Sequence, residues 1–583
     1  MDEQTSQLTD DLSSDERDRR VLRLYEQVVE VEQRLIPTGL HVFGRASDGR
    51  ECADLLRMVA SFERPEHGAR ALPDLVSEGL GFGAYERVLE GRGEEDWRRR
   101  ERVDAVVRRA VELFLEDGAG GVCLWLEREA GVAAAGSEKI FRLLARVRGR
   151  LEASRELDGL ARALRGEYVE PGPGADVVQN PDVLPTGRNT HAVNPYAVPS
   201  RTAYARAEGV VRLLLARHRE EHGRWPRAMA LVLWGLDNIK TQGEGVAQAL
   251  WLLGVRPVRD RLNRVTDVEP IPLERLGRPR IDVVMTVSGI FRDLFAATMT
   301  LLDRAVRRVA ELDEPAESNF VRRSVREQVE EEGCAFDEAA LRVFSNAPGS
   351  YGTNVNFMVM DSQWEQAGAL GDLFVTRKSF AYGRDGAGRA VEGREARGAF
   401  VRALSRVEAA YQNIDSFEIG ITDVDHYFEY LGGVSKAVER HARARPALYL
   451  SDATTREARV RSLEEMVRLE TRAKTLNPKW YEGMLRHGFR GVAEIESHLT
   501  NTFGWSATAD AVDEWVYREV AETFVLDREM IERLADLNPH SARALVARLL
   551  EAEGRGFWRA EAEVLERLRD IFAGLEDRIE GAA

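Results

Sequence analysis

The feature that most constrains the fold is a repeated order of apolar run, polar loop and helical pattern between residues 201 and 356. The apolar run AMALVLWGL (Ala228–Leu236) is typical of a buried strand, and the polar segment DNIKTQGEG separates it from an apolar helix, Val246–Val255. The run IDVVMTVSGIF (Ile281–Phe291) repeats this order, and Arg342–Asn356 contains a third strand candidate that enters a loop rich in Gly and Asn. Strands separated by helices pair through right-handed crossovers. We therefore predict an α/β core with a parallel sheet of the doubly wound type, flanked by N-terminal and C-terminal helical regions.

Polar loops follow each of the three predicted strands, at Asp237–Gly245, Ser288–Asp293 and Ser345–Asn356. In open parallel sheets, ligands bind outside the carboxyl ends of the strands. The apolar runs themselves need no role beyond forming the core. The polar residues that follow them are the candidates for a binding site.

The stretch Tyr411–Gly433, YQNIDSFEIGITDVDHYFEYLGG, places one histidine among carboxylates and aromatic side chains. Around His426 it holds five carboxylates: Asp415, Glu418, Asp423, Asp425 and Glu429. A neighbouring negative charge raises the pKa of a histidine, so such a set can transfer protons near neutral pH or ligate a metal. The alternative is a helix start with a surface histidine, in which Asp423 or Asp425 is the capping residue.

The composition excludes several classes of protein. A net charge of −16 argues against nucleic acid as the main partner, because binding phosphates requires a surplus of Lys and Arg. Three scattered cysteines form neither a disulfide framework nor a zinc motif, which fits a reducing compartment. No apolar run approaches the roughly 20 residues that span a bilayer, and the acidic N-terminus does not resemble a signal peptide. We therefore expect a cytoplasmic protein without a transmembrane segment.

A chain of 583 residues is too long for a single core, so we expect several domains. The patterns predict a mainly helical region with an acidic tail (1–165), a connecting loop rich in Pro and Gly (166–200), an α/β domain (201–360), a mixed segment that carries His426 (361–455) and a C-terminal helical domain (456–583). Apolar spacing predicts helices at Arg201–His222 and Ala458–Leu476, and it places Val103, Val106, Val107 and Ala110 on one helical face. In the C-terminal region, Trp480 and Trp505 either pack in the core or line a site for a flat aromatic ligand.

Phosphate-binding signatures are missing from the sequence. There is no GxxxxGK[ST] motif and no Gly-Lys pair, and GLGFG (Gly79–Gly83) lacks both the GxGxxG spacing and a preceding strand. We predict no ATP site in this chain, so any ATP that the activity uses must be bound by another protein.

Several long strings together resemble one family. LPTGRNTHAVNP, LVLWGLDNIKTQGEG, LGRPRIDVVMTVSGIFRDLF, SNAPGSYGTNVN, YQNIDSFEIGITDVDHYFEYLGG and TNTFGWSATADAVDEWVY resemble the large, porphyrin-binding subunit of magnesium chelatase. TDVDHYFEYLGG is more similar to the bacteriochlorophyll branch than to the plant proteins, and the related cobalt chelatase large subunit matches these strings less well. The resemblance runs from about Leu22 to Gly581, and strings of this length are highly specific.

The resemblance implies a chain that corresponds to the C-terminal half of that subunit. In the family, Mg²⁺ is inserted into protoporphyrin IX during (bacterio)chlorophyll biosynthesis. ATP hydrolysis by a separate AAA+ motor subunit, relayed through an adaptor subunit, drives the insertion. The other half of the large subunit contributes part of the porphyrin cavity, so a separate chain that supplies it is a further expected partner.

Insertion of Mg²⁺ requires hard oxygen ligands for the metal and a base near the ring centre for the pyrrole N–H protons. By resemblance, His426 lies at the position of a histidine in the central cavity of the family. We predict catalytic roles for His426, Glu418 and Asp425, and metal handling by His426, Asp423, Asp237 and Glu244. The alternative for each carboxylate is helix capping or solvation.

The porphyrin propionates require Arg or Lys, and the ring edge and face require polar and aromatic contacts. The predicted porphyrin-binding residues are Lys240, Arg292, Arg377 and Lys378, then Asn346, Tyr351 and Asn354, and finally Trp480 and Trp505. The alternative for each cation is a salt bridge.

Two other functions stay open at this point. One is a tetrapyrrole-binding or regulatory protein without chelatase activity, which the missing half favours. The other is cobalt insertion into a corrin-type ring, which the closer match to the magnesium chelatase strings disfavours.

Overall fold

The structure is a computed structural model that describes residues 28, 31, 39–45, 49–64, 67–90, 94–174, 177–178, 180–191, 194–331, 333–366, 368–384, 389–416, 418–452, 454 and 458–581. The chain forms two compact units, one of residues 41–192 and one that contains residues 193–583 together with the first forty residues. We call them the helical unit and the sheet unit.

The helical unit is built from amphipathic helices around a small apolar core. Its helices are α1 (Gly49–Ala60), α2 (Leu72–Gly79), α3 (Tyr85–Glu90), α4 (Glu94–Ala130), α5 (Ala134–Glu152) and α6 (Glu156–Leu164), followed by the short parallel strands β1 (Pro171–Pro173) and β2 (Asn189–His191). On α4, Val103, Val106, Val107 and Ala110 recur at helical spacing and are buried, as the sequence pattern predicts. Helix α4 bends at Gly118, whose φ of 77° lies in the left-handed region.

The sheet unit is organised around an eight-stranded mixed sheet. Its strands are β3 (Ala228–Leu233), β6 (Asp282–Val287), β7 (Val343–Ser345), β8 (Phe380–Arg384), β9 (Ala390–Glu395), β10 (Ala409–Ile414), β11 (Ala447–Asp452) and β12 (Arg459–Ser462), in the spatial order β12-β11-β10-β3-β6-β7-β8-β9. The five strands from β11 to β7 are parallel, whereas β12 pairs antiparallel with β11, β8 with β7 and β9 with β8. A separate antiparallel hairpin pairs β4 (Val255–Arg259) with β5 (Val265–Pro270).

The predicted α/β core is therefore confirmed as a mixed sheet with flanking helices, and the doubly wound arrangement stays a prediction. The five-part domain division also stays a prediction. Strands β8 to β11 come from the mixed segment of residues 361–455, and they join the same sheet as β3, β6 and β7.

Both faces of the central strands are buried. In β3, Met229 and Leu231 pack into one apolar cluster, whereas Ala230 and Val232 pack into a second cluster on the opposite face. Covering both faces explains why the central strands are continuous apolar runs rather than alternating ones.

Helices follow or precede each strand of the sheet unit. They are α7 (Arg201–His222), α8 (Gly235–Lys240), α9 (Glu244–Leu253), α10 (Leu273–Leu276), α11 (Gly289–Leu294), α12 (Ala296–Glu311), α13 (Phe320–Glu331), α14 (Phe336–Ala339), α15 (Val355–Met360), α16 (Gly368–Lys378), α17 (Arg397–Leu404), α18 (Asp425–Tyr427) and α19 (Gly433–Ala442). Helix α7 begins after Ser200, whose hydroxyl accepts a hydrogen bond from the backbone N–H of Ala203, and it ends at Gly223 in the left-handed region.

The C-terminal part of the sheet unit is a helical layer. It contains α20 (Leu463–Glu470), α21 (Pro478–Leu485), α22 (Phe489–Ala509), α23 (Glu514–Ala521), α24 (Arg528–Leu537), α25 (Pro539–Gly554) and α26 (Ala562–Glu580), with π-helical turns at Thr471–Thr475 and Glu522–Leu526. None of the helices in the described part of the chain has both the length and the apolar character needed to cross a membrane.

Candidate functional site

The candidate site lies at the carboxyl edge of the central strands, where the strand order changes direction. From β3, the chain adds β6 and then β7 on one side, and β10 and then β11 on the other. In such sheets, the crevice outside the carboxyl ends at this point is the usual ligand site. The segments that leave β3, β6, β7 and β10 carry most of the residues that the sequence predicts.

A histidine–glutamate pair is the centre of this site. Nδ1 of His426 lies 2.8 Å from Oε2 of Glu429, and more than half of the His426 side chain is exposed, whereas Glu429 is buried. The hydrogen bond with Glu429 raises the pKa of His426, against the opposing effect of partial burial. Because an ionised carboxylate can only accept, we assign the neutral imidazole proton to Nδ1, which leaves the lone pair of Nε2 available.

Glu429 is fixed by the loop that follows β7. Its Oε1 accepts hydrogen bonds from the backbone N–H of Thr353, from the Thr353 hydroxyl at 3.0 Å and from the backbone N–H of Asn354 at 2.9 Å. Burial alone raises the pKa of Glu429, but the hydrogen bonds from His426 and Thr353 outweigh burial and lower it. The carboxylate is therefore ionised at neutral pH and holds the imidazole in one orientation.

A helix with a π-helical turn carries both members of the pair. Helix α18 begins at Asp425, the π turn covers Phe428–Gly432, and α19 continues from Gly433. A spacing of three residues places His426 and Glu429 on one helical face. Helix α18 begins after Val424 with no side-chain cap, so the alternative role of Asp423 or Asp425 as capping residue is wrong.

Asp425 lies beside His426. Its Oδ1 is 3.8 Å from Nδ1 of His426, and its Oδ2 accepts a hydrogen bond from the amide of Asn356 at 2.6 Å. The negative charge of Asp425 adds to the rise in the pKa of His426. Asp425, His426 and Glu429 therefore form one group at the surface of the crevice.

Asp423 has a different surrounding. It accepts hydrogen bonds from the Lys474 ammonium, from the backbone N–H of Gly420 at 2.5 Å and from Nε2 of His498 at 3.1 Å. Burial raises the pKa of Asp423, but the charge of Lys474 and the contact with His498 outweigh it, and the pKa is lowered. These contacts use both carboxylate oxygens, so Asp423 anchors the loop before α18 to the helical layer.

Glu418 is the third predicted catalytic residue, and it is exposed. Its backbone carbonyl accepts a hydrogen bond from the Lys474 ammonium at 2.9 Å. Lys474 therefore fixes the backbone at Glu418 and the side chain of Asp423 together.

A second buried group joins the ends of β3 and β10. Asp237 accepts a hydrogen bond from the amide of Asn413 at 3.1 Å, and Lys240 forms a 3.0 Å ion pair with Asp415. Burial and the nearby charge of Asp415 raise the pKa of Asp237. Lys240 thus has the salt-bridge partner that the sequence left open.

Glu244 is buried at the start of α9, and the cation that approaches it is Arg206 on α7, at 3.6 Å. Burial raises the pKa of Glu244. The four predicted metal ligands do not come together as one set, because Asp423 binds Lys474, Asp237 binds Asn413 and Glu244 lies near Arg206. Within the described ranges, no three His, Cys, Asp or Glu side chains form a group able to hold a metal ion.

Lys378 is fully buried next to the group around Glu429. Its ammonium donates to the Val287 carbonyl at 2.6 Å and to Oδ1 of Asn346 at 3.0 Å, and it lies 4.2 Å from the ring centroid of Tyr430. Burial lowers the pKa of Lys378 well below its usual value. Lys378 and Asn346 therefore tie the ends of β6 and β7 together, and neither is exposed to a ligand in this arrangement.

Arg292, Tyr351 and Arg377 lie together around the loop after β7. Arg292 is buried and donates to the carbonyls of Ala347 at 2.7 Å and Ser350 at 2.8 Å. The Tyr351 ring lies 5.1 Å from the Arg292 guanidinium, and 55% of Tyr351 is exposed. Arg377 donates to the Ser350 hydroxyl at 2.9 Å.

Asn354 is exposed and has a φ of 64°, the left-handed backbone that Asn tolerates better than most residues. This conformation presents its backbone N–H to Glu429. Asn354 therefore contributes to the site through its backbone.

Trp480 and Trp505 are packed in the core. Trp505 is fully buried, and its indole N–H donates to the Ile421 carbonyl at 2.9 Å. The Trp480 ring lies 4.3 Å from the ring of His498. Of the two roles left open by the sequence, this arrangement favours packing, because neither indole face is exposed.

Sequence reasoning misses the residues that support the site. It shows Glu429 only as one more carboxylate, although its position three residues after His426 is an available signal. Thr353, Glu470, Lys474 and His498 give no local signal, because they reach the loop before α18 or the π turn from distant parts of the chain.

Comparisons with known proteins point to one family. A sequence profile described as CobN/Magnesium Chelatase matches residues 1–565. The chain is 45% identical over 602 residues to the chloroplastic magnesium-chelatase subunit ChlH of Oryza sativa subsp. indica, covering 98% of this chain and 43% of that protein. It is 46% identical over 440 residues to a magnesium-chelatase subunit of Cereibacter sphaeroides, covering 75% of this chain and 36% of that protein.

Among solved structures, the catalytic subunit of cobaltochelatase from Mycobacterium tuberculosis superposes with a TM-score of 0.88 at 34% identity, covering 98% of this chain and 48% of that one. The chain spans less than half the length of each of these three relatives. Because the profile matches nearly the whole sequence and relatives above 30% identity cover most of it, this chain belongs to the CobN/magnesium chelatase family.

Proposed function

We propose that this chain is the C-terminal, porphyrin-binding half of a magnesium chelatase large subunit, which inserts Mg²⁺ into protoporphyrin IX for (bacterio)chlorophyll biosynthesis. ATP hydrolysis by a separate motor subunit, relayed through an adaptor subunit, drives the insertion, and the sequence of this chain carries no phosphate-binding motif. The other half of the large subunit, on this or another chain, completes the cavity.

The observation that carries this proposal is the pair of His426 and Glu429 at the carboxyl edge of the sheet. For each pyrrole N–H proton that leaves the ring, a base must be present with its lone pair exposed. Nε2 of His426 meets this requirement, because Nδ1 is held by a buried, ionised carboxylate. When Nε2 takes the proton, Glu429 stabilises the imidazolium and the pyrrole nitrogen becomes free to bind the metal.

Asp425 is the carboxylate best placed to receive Mg²⁺ as a substrate. Its side chain is partly exposed and lies beside His426. Mg²⁺ keeps several of its waters and binds through one or two carboxylates, so a single aspartate near the base is compatible with delivery of a hydrated ion. Glu418 is a second exposed carboxylate in the same loop.

The test compares His426→Ala with His540→Ala, a matched change of an exposed histidine on α25. Each protein is titrated with protoporphyrin IX and assayed for Mg-porphyrin formation with the motor and adaptor subunits and ATP, with and without the remaining half of the large subunit. We expect porphyrin binding to persist in both variants. Insertion should fall at least about 100-fold in His426→Ala, the usual contribution of a general base, and should persist in His540→Ala. Unchanged insertion by His426→Ala would refute the assigned role.

The likeness to a cobaltochelatase catalytic subunit favours cobalt insertion as the second candidate function. The same assay with Co²⁺ and a corrin-type ring distinguishes the two functions. Turnover with cobalt and none with magnesium would replace our proposal.

A further inference from the structure

Several large apolar side chains are exposed at the edge of the sheet that carries the His426 group. Six large apolar residues on the segments that follow β3, β6 and β7 are exposed: Leu236, Ile290, Leu294, Tyr351, Phe357 and Met360. By contrast, the described helical layer of residues 463–581 exposes only Phe489 among its large apolar side chains. Contiguous apolar residues at a surface mark a binding site more often than scattered ones do.

Two glycines allow the segments that carry three of these side chains to approach closely. A Cβ at Gly235 would lie 2.5 Å from Cγ2 of Ile290, and a Cβ at Gly289 would lie 2.3 Å from Cδ1 of Tyr351. Any larger residue at either position would therefore separate the segments. As a result, Leu236, Ile290 and Tyr351 belong to adjoining pieces of backbone, and we call them the apolar platform.

Hydrogen bonds connect the segments that carry the platform. The Ser288 hydroxyl accepts hydrogen bonds from the backbone N–H of Gly235 and of Phe291, both at 3.1 Å, which ties the first two segments together. The Tyr351 hydroxyl donates to Asp293, and its ring lies over the Arg292 guanidinium. These contacts fix the ring of Tyr351 while leaving 55% of the residue exposed.

The guanidinium of Arg377 borders the platform. Arg377 donates to the Ser350 hydroxyl and, at 3.4 Å, to the Tyr351 carbonyl. In the part of the chain that the structure describes, it forms no ion pair. A ligand with a flat apolar body and a peripheral carboxylate matches this combination.

We propose that Leu236, Ile290 and Tyr351 bind one face of the porphyrin macrocycle, with a propionate at Arg377. This inference rests on the proposed function and adds the residues that determine ring binding. Tyr351 supplies an aromatic surface for stacking, and the two aliphatic side chains supply apolar area. The ring is held by its face, while the His426 group at the same edge is left to act on its centre.

The experiment measures the dissociation constants of protoporphyrin IX and its dimethyl ester by the change in porphyrin absorbance, in the same detergent, with the full chain. We expect Leu236→Ser and Tyr351→Ser each to weaken both ligands about tenfold, because apolar contact is lost. Arg377→Gln should weaken the diacid and leave the ester unchanged, since only the diacid carries the charges that Arg377 pairs with.

Two controls separate binding from folding and from general surface effects. Tyr351→Phe keeps the ring, so its affinity should stay within about twofold of wild type if stacking is the main contact. Leu262→Ser removes a leucine that is 73% exposed in the turn between β4 and β5, and it should bind as wild type does. Circular dichroism of each variant checks that it is folded.

The outcomes distinguish this inference from the proposed function. Wild-type binding together with normal affinity in folded Leu236→Ser and Tyr351→Ser would overturn the platform and leave the proposed function standing. A wild-type chain that binds neither ligand, alone or with the remaining half of the large subunit, would overturn both.

Discussion

The prediction that tests the site most directly is Glu429→Gln, an isosteric change that removes one buried charge. Glu429 accepts hydrogen bonds from His426, from the Thr353 backbone and hydroxyl, and from the Asn354 backbone. The oxygen of a glutamine amide can replace one carboxylate oxygen. The NH₂ group of that amide then faces groups that are themselves hydrogen-bond donors. Hydrogen bonds to a charged group contribute about 1.5–3 kcal/mol, so losing one and weakening others should cost about 2–4 kcal/mol.

This free energy converts into a measurable shift in melting temperature. The sheet unit contains about 390 residues after residue 192. At about 2.1 cal/mol/K per residue, its unfolding entropy is about 0.8 kcal/mol/K, so the midpoint should fall by about 3–5 °C. Glu532→Gln on α24 is the matched control, because Glu532 is exposed and pairs with the exposed Arg528 at 3.0 Å. A surface pair of this kind contributes at most about 1 kcal/mol.

The difference in stability between wild type and Glu429→Gln should also depend on pH. The lowered pKa of Glu429 gives stability that is present above its unfolded value of 4.5 and is lost as the pH falls through the folded value. The raised pKa of His426 gives stability that is present below 6.5 and is lost as the pH rises through its folded value. Wild type and Glu429→Gln should therefore differ most between pH 4.5 and 6.5.

Insertion activity should also depend on the protonation state of His426, but it requires the unprotonated imidazole. A base must be unprotonated, so the wild-type rate should rise as the pH passes through the raised pKa of His426. In Glu429→Gln, loss of the negative charge lowers the pKa of His426. The increase in insertion rate should therefore occur at lower pH, and the maximum rate should be lower. A melting point within about one degree of wild type, or an unmoved pH profile, would refute the coupling of these two residues.

Three further predictions concern stability. Lys474→Met should destabilise by about 3–5 kcal/mol, because Asp423 loses its ammonium partner and keeps only the contacts with Gly420 and His498, and adding Asp423→Asn should recover part of the loss in chemical denaturation. His218→Phe should resist acid better than wild type, since burial lowers the pKa of His218 to about 4 and wild-type stability falls with pH below 6.5. Gly433→Ala should cost about 1–3 kcal/mol, because its Cβ would lie 2.3 Å from a phenylalanine ring, whereas Gly209→Ala on α7, with open space around it, should stabilise by up to about 1 kcal/mol.

Local pattern was sufficient for the framework of the sheet. The helix predicted at Arg201–His222 has those same bounds, and the apolar runs at Ala228 and Ile281 became β3 and β6. Pattern failed at Ala458–Leu476, predicted as one helix, where β12 occupies Arg459–Ser462 before α20 begins. Residues 459–462 pair with β11, and this contact with another segment decides their conformation.

The sequence by itself determined the family and the parallel core, and it pointed to the segment around His426 as a candidate site. Long strings, residue spacings and apolar runs in the sequence were sufficient for these inferences. Only the tertiary structure decided which carboxylates lie beside His426. Asp423 and Asp425 are two residues apart, but their surroundings differ. Asp423 binds Lys474 and His498, whereas Asp425 lies next to the exposed imidazole of His426. The physical reason is that burial and charge partners set the chemistry of a carboxylate, and those partners come from parts of the chain that are far away in sequence.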